Sequence, residues 1–167
     1  IKATSTREDL LKHFRSVHGD RYDYLLPERI KFTDKAEIVC EEHGLFRQLV
    51  KSHFEGKGCP KCSLSKGETA VALFLERCGL EFEVEFAVTS TAKGNPMRFD
   101  FHIPSLKTLI EFDGHHHFRP VNFGGTSDEK AEHNFKLVKQ RDKRKTEWAQ
   151  VNGFRLIRIK YDENVEQ

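Results

Sequence analysis

Two groups of residues in this chain have the types and spacing to do chemistry. One is Asp100, Glu111, His115 and His117 within the stretch MRFDFHIPSLKTLIEFDGHHHF, and the other is Cys40, His43, Cys59 and Cys62. Hard oxygen ligands converging beside an imidazole suit metal-assisted hydrolysis, because the ion lowers the pKa of a bound water and the imidazole manages its proton. The second group, C-x2-H followed after 15 residues by C-x2-C, offers three thiolates and one imidazole. That is a tetrahedral set which saturates zinc and leaves no position open for water. The first group reads as catalytic and the second as a structural zinc site. Gly44 and Pro60 supply the turn residues of the two knuckles, and His53 is a rival fourth ligand, less well placed.

The catalytic group needs a hairpin. Met97, Phe99, Phe101 and Ile103 alternate with Arg98, Asp100 and His102, the period-two signature of a half-buried strand, so Asp100 leaves the apolar face. After a Pro-Ser turn, Ile110 and Phe112 share one face of a second strand while Leu109, Glu111 and Asp113 share the other. Continued alternation puts His115 and His117 on the carboxylate side and turns His116 away. Asp113 is placed to hydrogen-bond either imidazole.

Flanking elements bring further candidates. Ser65-Lys-Gly-Glu68 opens a helix with an apolar stripe of Val71, Ala72, Leu75 and Cys78, which makes Cys78 an expected core residue. Glu68 has two open readings, a capping-box partner of Ser65 or an upstream acid of the catalytic group. Phe82, Val84, Phe86 and Val88 alternate with glutamates as a strand. Residues Arg119–Thr126, with Pro120 and Gly124-Gly125, either cover a bound strand or serve as a plain connector. A long helix then runs from Ser127 or Asp128 to Gly153, its inward stripe being Ala131, Phe135, Val138, Asp142 and Ala149. A carboxylate in that register is costly unless paired, so Asp142 either orients His117 or joins a buried ion pair with a neighbouring Arg or Lys. Lys139, Arg141, Lys143, Arg144 and Lys145 form the densest basic cluster, which is either a solvated face or, with Arg119, a set of phosphate contacts. Phe154–Lys160 closes the chain as a strand.

Before the zinc knuckles, Ser5 and Glu8 read as a capping box for a helix over about Thr6–His18. Asp20–Tyr24 reads as a loop whose tyrosines pack on that helix, and Ala36–Cys40 and Leu45–Leu49 read as strands.

The bulk properties set bounds. With 167 residues, 37% apolar and 32% charged, the chain can bury a real core and reads as soluble and globular. No apolar run approaches the roughly 20 residues that span a bilayer, and no secretory signal is visible, so no membrane association and a cytoplasmic location are expected. The chain starts at Ile1 rather than Met, as a fragment or processed product would, which leaves room for flanking domains. Three of the four cysteines fall in the metal pattern, which is not disulfide arithmetic. A net charge of +2 neither demands nor excludes nucleic acid; residues 1–66 hold 13 Lys/Arg against 10 Asp/Glu, a modest footprint for phosphate.

The order D-x10-E-x-D-G-x-x-H, with Glu68 upstream and Arg141-Asp142 downstream, resembles the very-short-patch-repair-like branch of the PD-(D/E)xK nucleases over roughly Lys66–Tyr161. Asp113 stands where the wider superfamily has a lysine, so the histidine branch fits better. The first half, with its HGDRYDY, HG-x-F and GKGCPKC pieces, resembles zinc-ribbon modules fused to phage endonucleases. The resemblance implies an α+β fold with a restriction-endonuclease-like mixed sheet flanked by helices at 66–167, preceded by a helix and a small DNA-binding zinc-ribbon module at 1–65. It implies a metal-dependent DNA endonuclease of phage or mobile-element homing type, acting on double-stranded DNA inside a bacterial host cell. Asp100 and Glu111 would hold Mg2+ or Mn2+, Glu68 would assist, His117 would act as general base with His115 as runner-up, and Asp142 would fix the base. The alternatives are a DNA-binding zinc module with a vestigial nuclease site, a mismatch-nicking repair endonuclease, and a catalytic zinc site held by His115 and His117. A second structural zinc cluster is missing from the sequence, which speaks against the mismatch-repair reading.

Overall fold

The computed structural model describes residues 4–89, 96–121 and 127–165. The architecture is mixed α+β, with four α-helices and three sheets among the described residues. The chain divides into two compact units, Ile1–Ser63 and Leu64–Gln167.

The first unit runs β1 (Thr4–Thr6), α1 (Arg7–His18), β2 (Tyr22–Leu25), β3 (Arg29–Lys31), β4 (Lys35–Cys40), β5 (Gly44–Leu49) and α2 (Val50–Phe54). β1 pairs with β3, while β2, β4 and β5 form an antiparallel sheet in that order. α1 starts one residue later than its expected cap: Thr6, not Ser5, accepts from the Asp9 amide, and its hydroxyl also reaches the Asp9 carboxylate. Ser5 is held in β1 instead. The predicted loop at Asp20–Tyr24 is largely strand β2, because Tyr22 and Tyr24 alternate inward against Cys40 and Ile38 of β4. Both tyrosines do meet α1, Tyr24 against Phe14 and Tyr22 against His18. The core is Leu10 and Phe14 with Tyr22, Ile38 and Val50.

The second unit runs α3 (Lys66–Arg77), β6 (Glu83–Val88), β7 (Met97–Ile103), β8 (Thr108–Asp113), α4 (Asp128–Val151) and β9 (Arg155–Lys160), the predicted order of helix, three strands, helix and strand. Its sheet has the order β6-β7-β8-β9, antiparallel except for the parallel pair β8–β9. Leu109 and Ile110 point to opposite faces, and each collects a core. Ile110, Phe101 and Ile103 pack with Val71, Ala72 and Leu75 of α3; Leu109 and Phe99 pack with Trp148 and Ala149 of α4. The sheet is therefore sandwiched between two helices.

Two side chains depart from their expected places. Phe99 does not share a face with Phe101 and Ile103, since both β6 and β7 change face between Val84–Phe101 and Phe86–Phe99. Cys78 is exposed rather than buried, because α3 ends at Arg77 and Cys78 is its C-cap, beyond the last inward turn. Gly67 is required by packing: a Cβ there would stand 2.1 Å from the Phe112 ring, so only glycine lets the first turn of α3 lie against β8. Among the described residues no helix is long and apolar enough to cross a membrane. Of the Arg119–Thr126 connector, residues 122–126 lie outside the described residues.

Candidate functional site

In the first unit, β4 ends on Cys40 and a tight turn returns the chain to Gly44, which pairs with Cys40 and sets His43 beside it. A short 3-10 turn at Lys61–Ser63, with the Cys62 amide bonded to the Cys59 carbonyl, forms the second knuckle. The Cys59 amide donates to the Tyr22 hydroxyl at 3.0 Å, and Gly58 has room for no side chain there, because a Cβ would meet that hydroxyl at 2.6 Å. The result is a compact tetrad. Cys40 and Cys62 sulfurs are 3.7 Å apart, and His43 Nδ1 is 3.8, 3.9 and 3.3 Å from Cys40, Cys59 and Cys62. Bonds of about 2.3 Å to sulfur and 2.0–2.1 Å to nitrogen give a tetrahedron with edges of about 3.8 Å between sulfurs and about 3.6 Å from sulfur to nitrogen. The four residues could hold a zinc ion.

His53 takes no part in the tetrad. It is fully buried, with Nδ1 2.9 Å from the Lys57 carbonyl and 3.1 Å from Gln48 Oε1, and Nε2 3.2 Å from the Tyr24 hydroxyl. Two oxygens at Nδ1 place the proton there, so Nε2 accepts from Tyr24. Burial, then the neighbouring His18, pushes its pKa down to about 4. It is a core residue that organises α2 and the second knuckle.

In the second unit Glu111 and Asp142 lie on the α4 side of the sheet, whereas Glu68 opens α3 on the opposite side. Glu111 is buried on the centre of β8, and Lys145 of α4 donates to both its oxygens at 2.7 Å. Asp100 Oδ2 accepts the Phe112 amide at 2.7 Å, just where the β7–β8 ladder has stopped at Phe101–Ile110. Burial, then Asp100, pushes Glu111 up to about 7. Burial raises Asp100 as well, with Glu68 and Asp113 adding repulsion, outweighing the Phe112 amide that favours its ionised form. Glu68 is the capping-box partner of Ser65. Its carboxylate accepts the Ser65 amide at 2.6 Å in a complete capping box, and it is close enough to Asp100 to repel it.

The strand breaks at Gly114, and His115–His117 form a 3-10 turn, so the alternation expected beyond Asp113 does not continue. The turn separates the three histidines. His117 Nδ1 lies 3.0 Å from Asp142 Oδ2 and 3.4 Å from Asp113 Oδ1. His115 lies on Tyr161 with ring centroids 3.6 Å apart, in an open groove that also has Lys66, Gly67 and Phe112 in its wall. His116 packs against the His117 ring. His115 is therefore not beside His117 as a second ligand. Asp142 is held below the usual carboxylate range by His117 and Arg158, which outweigh its desolvation. As an ionised acceptor it fixes the Nδ1–H tautomer of His117 and leaves Nε2 as the basic nitrogen.

Two cations in this site carried no catalytic signal in the sequence. Arg158 of β9 forks onto Asp113, with Nε at 2.7 Å and Nη2 at 2.5 Å, and its Nη2 also reaches Asp142 Oδ1 at 2.9 Å. The buried pair of Asp142 is thus with β9, not with its own helix. Arg158 Nη1 is buried and, among the described residues, has no partner. The signal available was parallel pairing, since Arg158 stands directly beside Glu111. Lys145 leaves the surface cluster by helical spacing from Asp142. In that cluster Arg141, Lys143 and Arg144 are exposed, and Lys139 lies over the Phe118 and Phe135 rings. Arg119 is exposed too.

The family match falls in the first unit. Residues 3–63 match a family model described as a protein of unknown function (DUF723). The chain is also 34% identical over 62 residues to an uncharacterized protein of Acanthamoeba polyphaga mimivirus. That match takes in 36% of this chain and 23% of the viral protein. The family match coincides with the compact unit that ends at Ser63 and contains all four tetrad residues.

Proposed function

We propose that the second unit is a metal-dependent DNA endonuclease with a restriction-endonuclease-like fold, and that the first is a zinc-stabilised DNA-binding module. The observation that carries the reading is Asp100 beside a buried Glu111 on a helix-flanked mixed sheet, with Asp113, His117 and Asp142 clustered at the end of β8.

Asp113, His117 and Asp142 lie close enough together to hold a cation, and Asp100 and Glu111 on the neighbouring strands are the ligands proposed for the catalytic one. Among the described residues Lys145 pairs with Glu111, and Arg158 with Asp113 and Asp142, while burial, with repulsion from neighbouring carboxylates, raises Asp100 and Glu111. Asp100 and Glu111 offer hard oxygens, which favours Mg2+ or Mn2+ over a softer metal. Asp100 and Glu111 would hold the ion, with Glu68 beside Asp100. When bound, it acidifies a water and offsets charge on a phosphoryl oxygen.

The chain's own groups supply the rest. His117 Nε2 accepts the proton of the attacking water, and Asp142 stabilises the imidazolium that results. Arg158 pins Asp113 and Asp142, so the base keeps its orientation. Lys145, over the Phe99 ring and on Glu111, carries positive charge to where the phosphoryl group develops its own negative charge. Arg119, Lys139, Arg141, Lys143 and Arg144 are the proposed phosphate contacts. Incubating the purified chain with supercoiled plasmid and Mg2+ or Mn2+ tests the reading. Nicks that EDTA abolishes support it. Binding without metal-dependent nicking would leave a DNA-binding protein with a vestigial site.

A further inference from the structure

The register of the second sheet is interrupted at Asp100. β6 and β7 pair at Val84–Phe101 and again at Phe86–Phe99, but Glu85 and Asp100, which stand between those pairs, do not pair. At the same level both strands turn over: Val84 and Phe101 pack toward α3, and Phe86 and Phe99 toward α4. Glu85 has φ 52°, the left-handed region, in the interior of a strand. A side chain is disfavoured there because its Cβ crowds the following carbonyl, and residues other than Gly, Asn and Asp seldom adopt it. Strain of this kind persists only where the surrounding structure holds it. The Glu85 side chain is half-exposed, with Arg98 Nη1 at 3.3 Å, so its ion pair is a weak restraint and the distinctive feature is the backbone.

The turnover bears on Asp100 directly. On a regular strand Asp100 would stay in ladder register opposite Glu111. Instead the β7–β8 ladder ends at Phe101–Ile110 and the Asp100 carboxylate takes the Phe112 amide. We propose that Glu85 is a positioning residue for Asp100, its left-handed backbone turning β6 and β7 over together so that the Asp100 carboxylate is aimed at the Phe112 amide and toward Glu111. The catalytic consequence rests on the endonuclease reading; the structural one does not.

Three variants separate backbone from side chain. Glu85→Gly and Glu85→Asn both accept positive φ and both remove the carboxylate, whereas the β-branched Glu85→Val resists positive φ. Exchange of the Phe112 amide, followed by NMR on the full chain without divalent metal, should be no faster than wild type in Gly and Asn, which shed the penalty that Glu85 carries. It should be faster in Val than in Gly by roughly 5–30-fold, the population shift that the left-handed penalty implies. Plasmid nicking in Mg2+ should follow the same order, with Trp148 fluorescence confirming that each variant is folded. Should Val fail to fold, Glu85→Ala, whose Cβ pays the penalty that glycine escapes, replaces it in the comparison with Gly. Equal Phe112 exchange in Gly and Val would overturn the proposal, as would loss of protection in Gly and Asn to the level of Val, which would assign the effect to the Arg98 pair. A wild-type chain that does not nick would refute the endonuclease reading, and the exchange comparison would still decide the role of Glu85.

Discussion

Lys145→Met removes the cation that pairs with Glu111 and so tests how the second unit tolerates its buried carboxylates. The lysine ammonium is 2.7 Å from both oxygens of a side chain that is only 4% exposed. Breaking a buried pair by deleting one partner costs about 3–5 kcal/mol, because the remaining charge loses its compensation. Glu111 escapes part of that cost by taking up a proton. Its folded pKa is already raised to about 7 from 4.5, and it rises further without Lys145. A raised carboxylate contributes stability that is complete below its unfolded pKa and is lost as pH rises through the folded pKa. The deficit of Lys145→Met should therefore be about 1–2 kcal/mol at pH 6, with Glu111 protonated and only the charge-assisted hydrogen bonds missing. It should grow toward the full 3–5 kcal/mol by pH 9. Trp148 is the chain's single tryptophan and lies in the second unit, so urea denaturation followed by its fluorescence reports that unit alone. Adding Glu111→Gln to Lys145→Met should recover most of the loss, since the uncompensated charge goes with it. A Lys145→Met chain as stable as wild type at pH 9, or a double variant no better than the single one, would refute the account of this pair.

Replacing Cys59 or Cys62 with serine should unfold residues 36–63 while leaving the Trp148 transition in place, since a closed zinc site contributes folding energy to its own module; metal analysis of wild type should find about one equivalent of zinc. The first unit should lose about 3 kcal/mol between pH 6.5 and 4 through His53, whose folded pKa of about 4 lies below its ordinary 6.5, so that the unfolded chain takes up a proton the folded one refuses. Circular dichroism melts should show this slope flattened in His53→Gln. Neutralising Lys143 and Arg144 should weaken binding to all DNA sequences alike and reduce the salt slope by roughly two, one for each lost phosphate contact; unchanged affinity and slope would return these residues to a solvated face.

Spacing along single elements was legible in the sequence. The Cys/His tetrad that could hold zinc, the order of elements in the second unit and the facing of Leu109, Glu111 and Asp113 all follow from local periodicity and turn chemistry. The site's electrostatics were harder to read, because Lys145 and Arg158 reach their carboxylates only through helix–sheet packing and the parallel β8–β9 register. Tertiary placement also decided His53, which has a ligand's chemistry but a core residue's partners. Alternation misled at two places where the backbone leaves the strand pattern, at Glu85 with its positive φ and at Gly114, where a 3-10 turn replaces the strand. Both lie against the candidate site, where local rules are most often broken for function.

The most direct measurement of the central claim is single-turnover plasmid nicking by wild type, His117→Ala, His116→Ala and Asp100→Ala, at protein concentrations that saturate the DNA. His117→Ala should lose roughly 10²–10⁴-fold in rate, the worth of a positioned general base. Asp100→Ala should lose at least as much, through its cation ligand. His116→Ala should stay within a few-fold of wild type, and DNA binding should be unchanged in all three. Equal rates in wild type, His117→Ala and Asp100→Ala would contradict the claim.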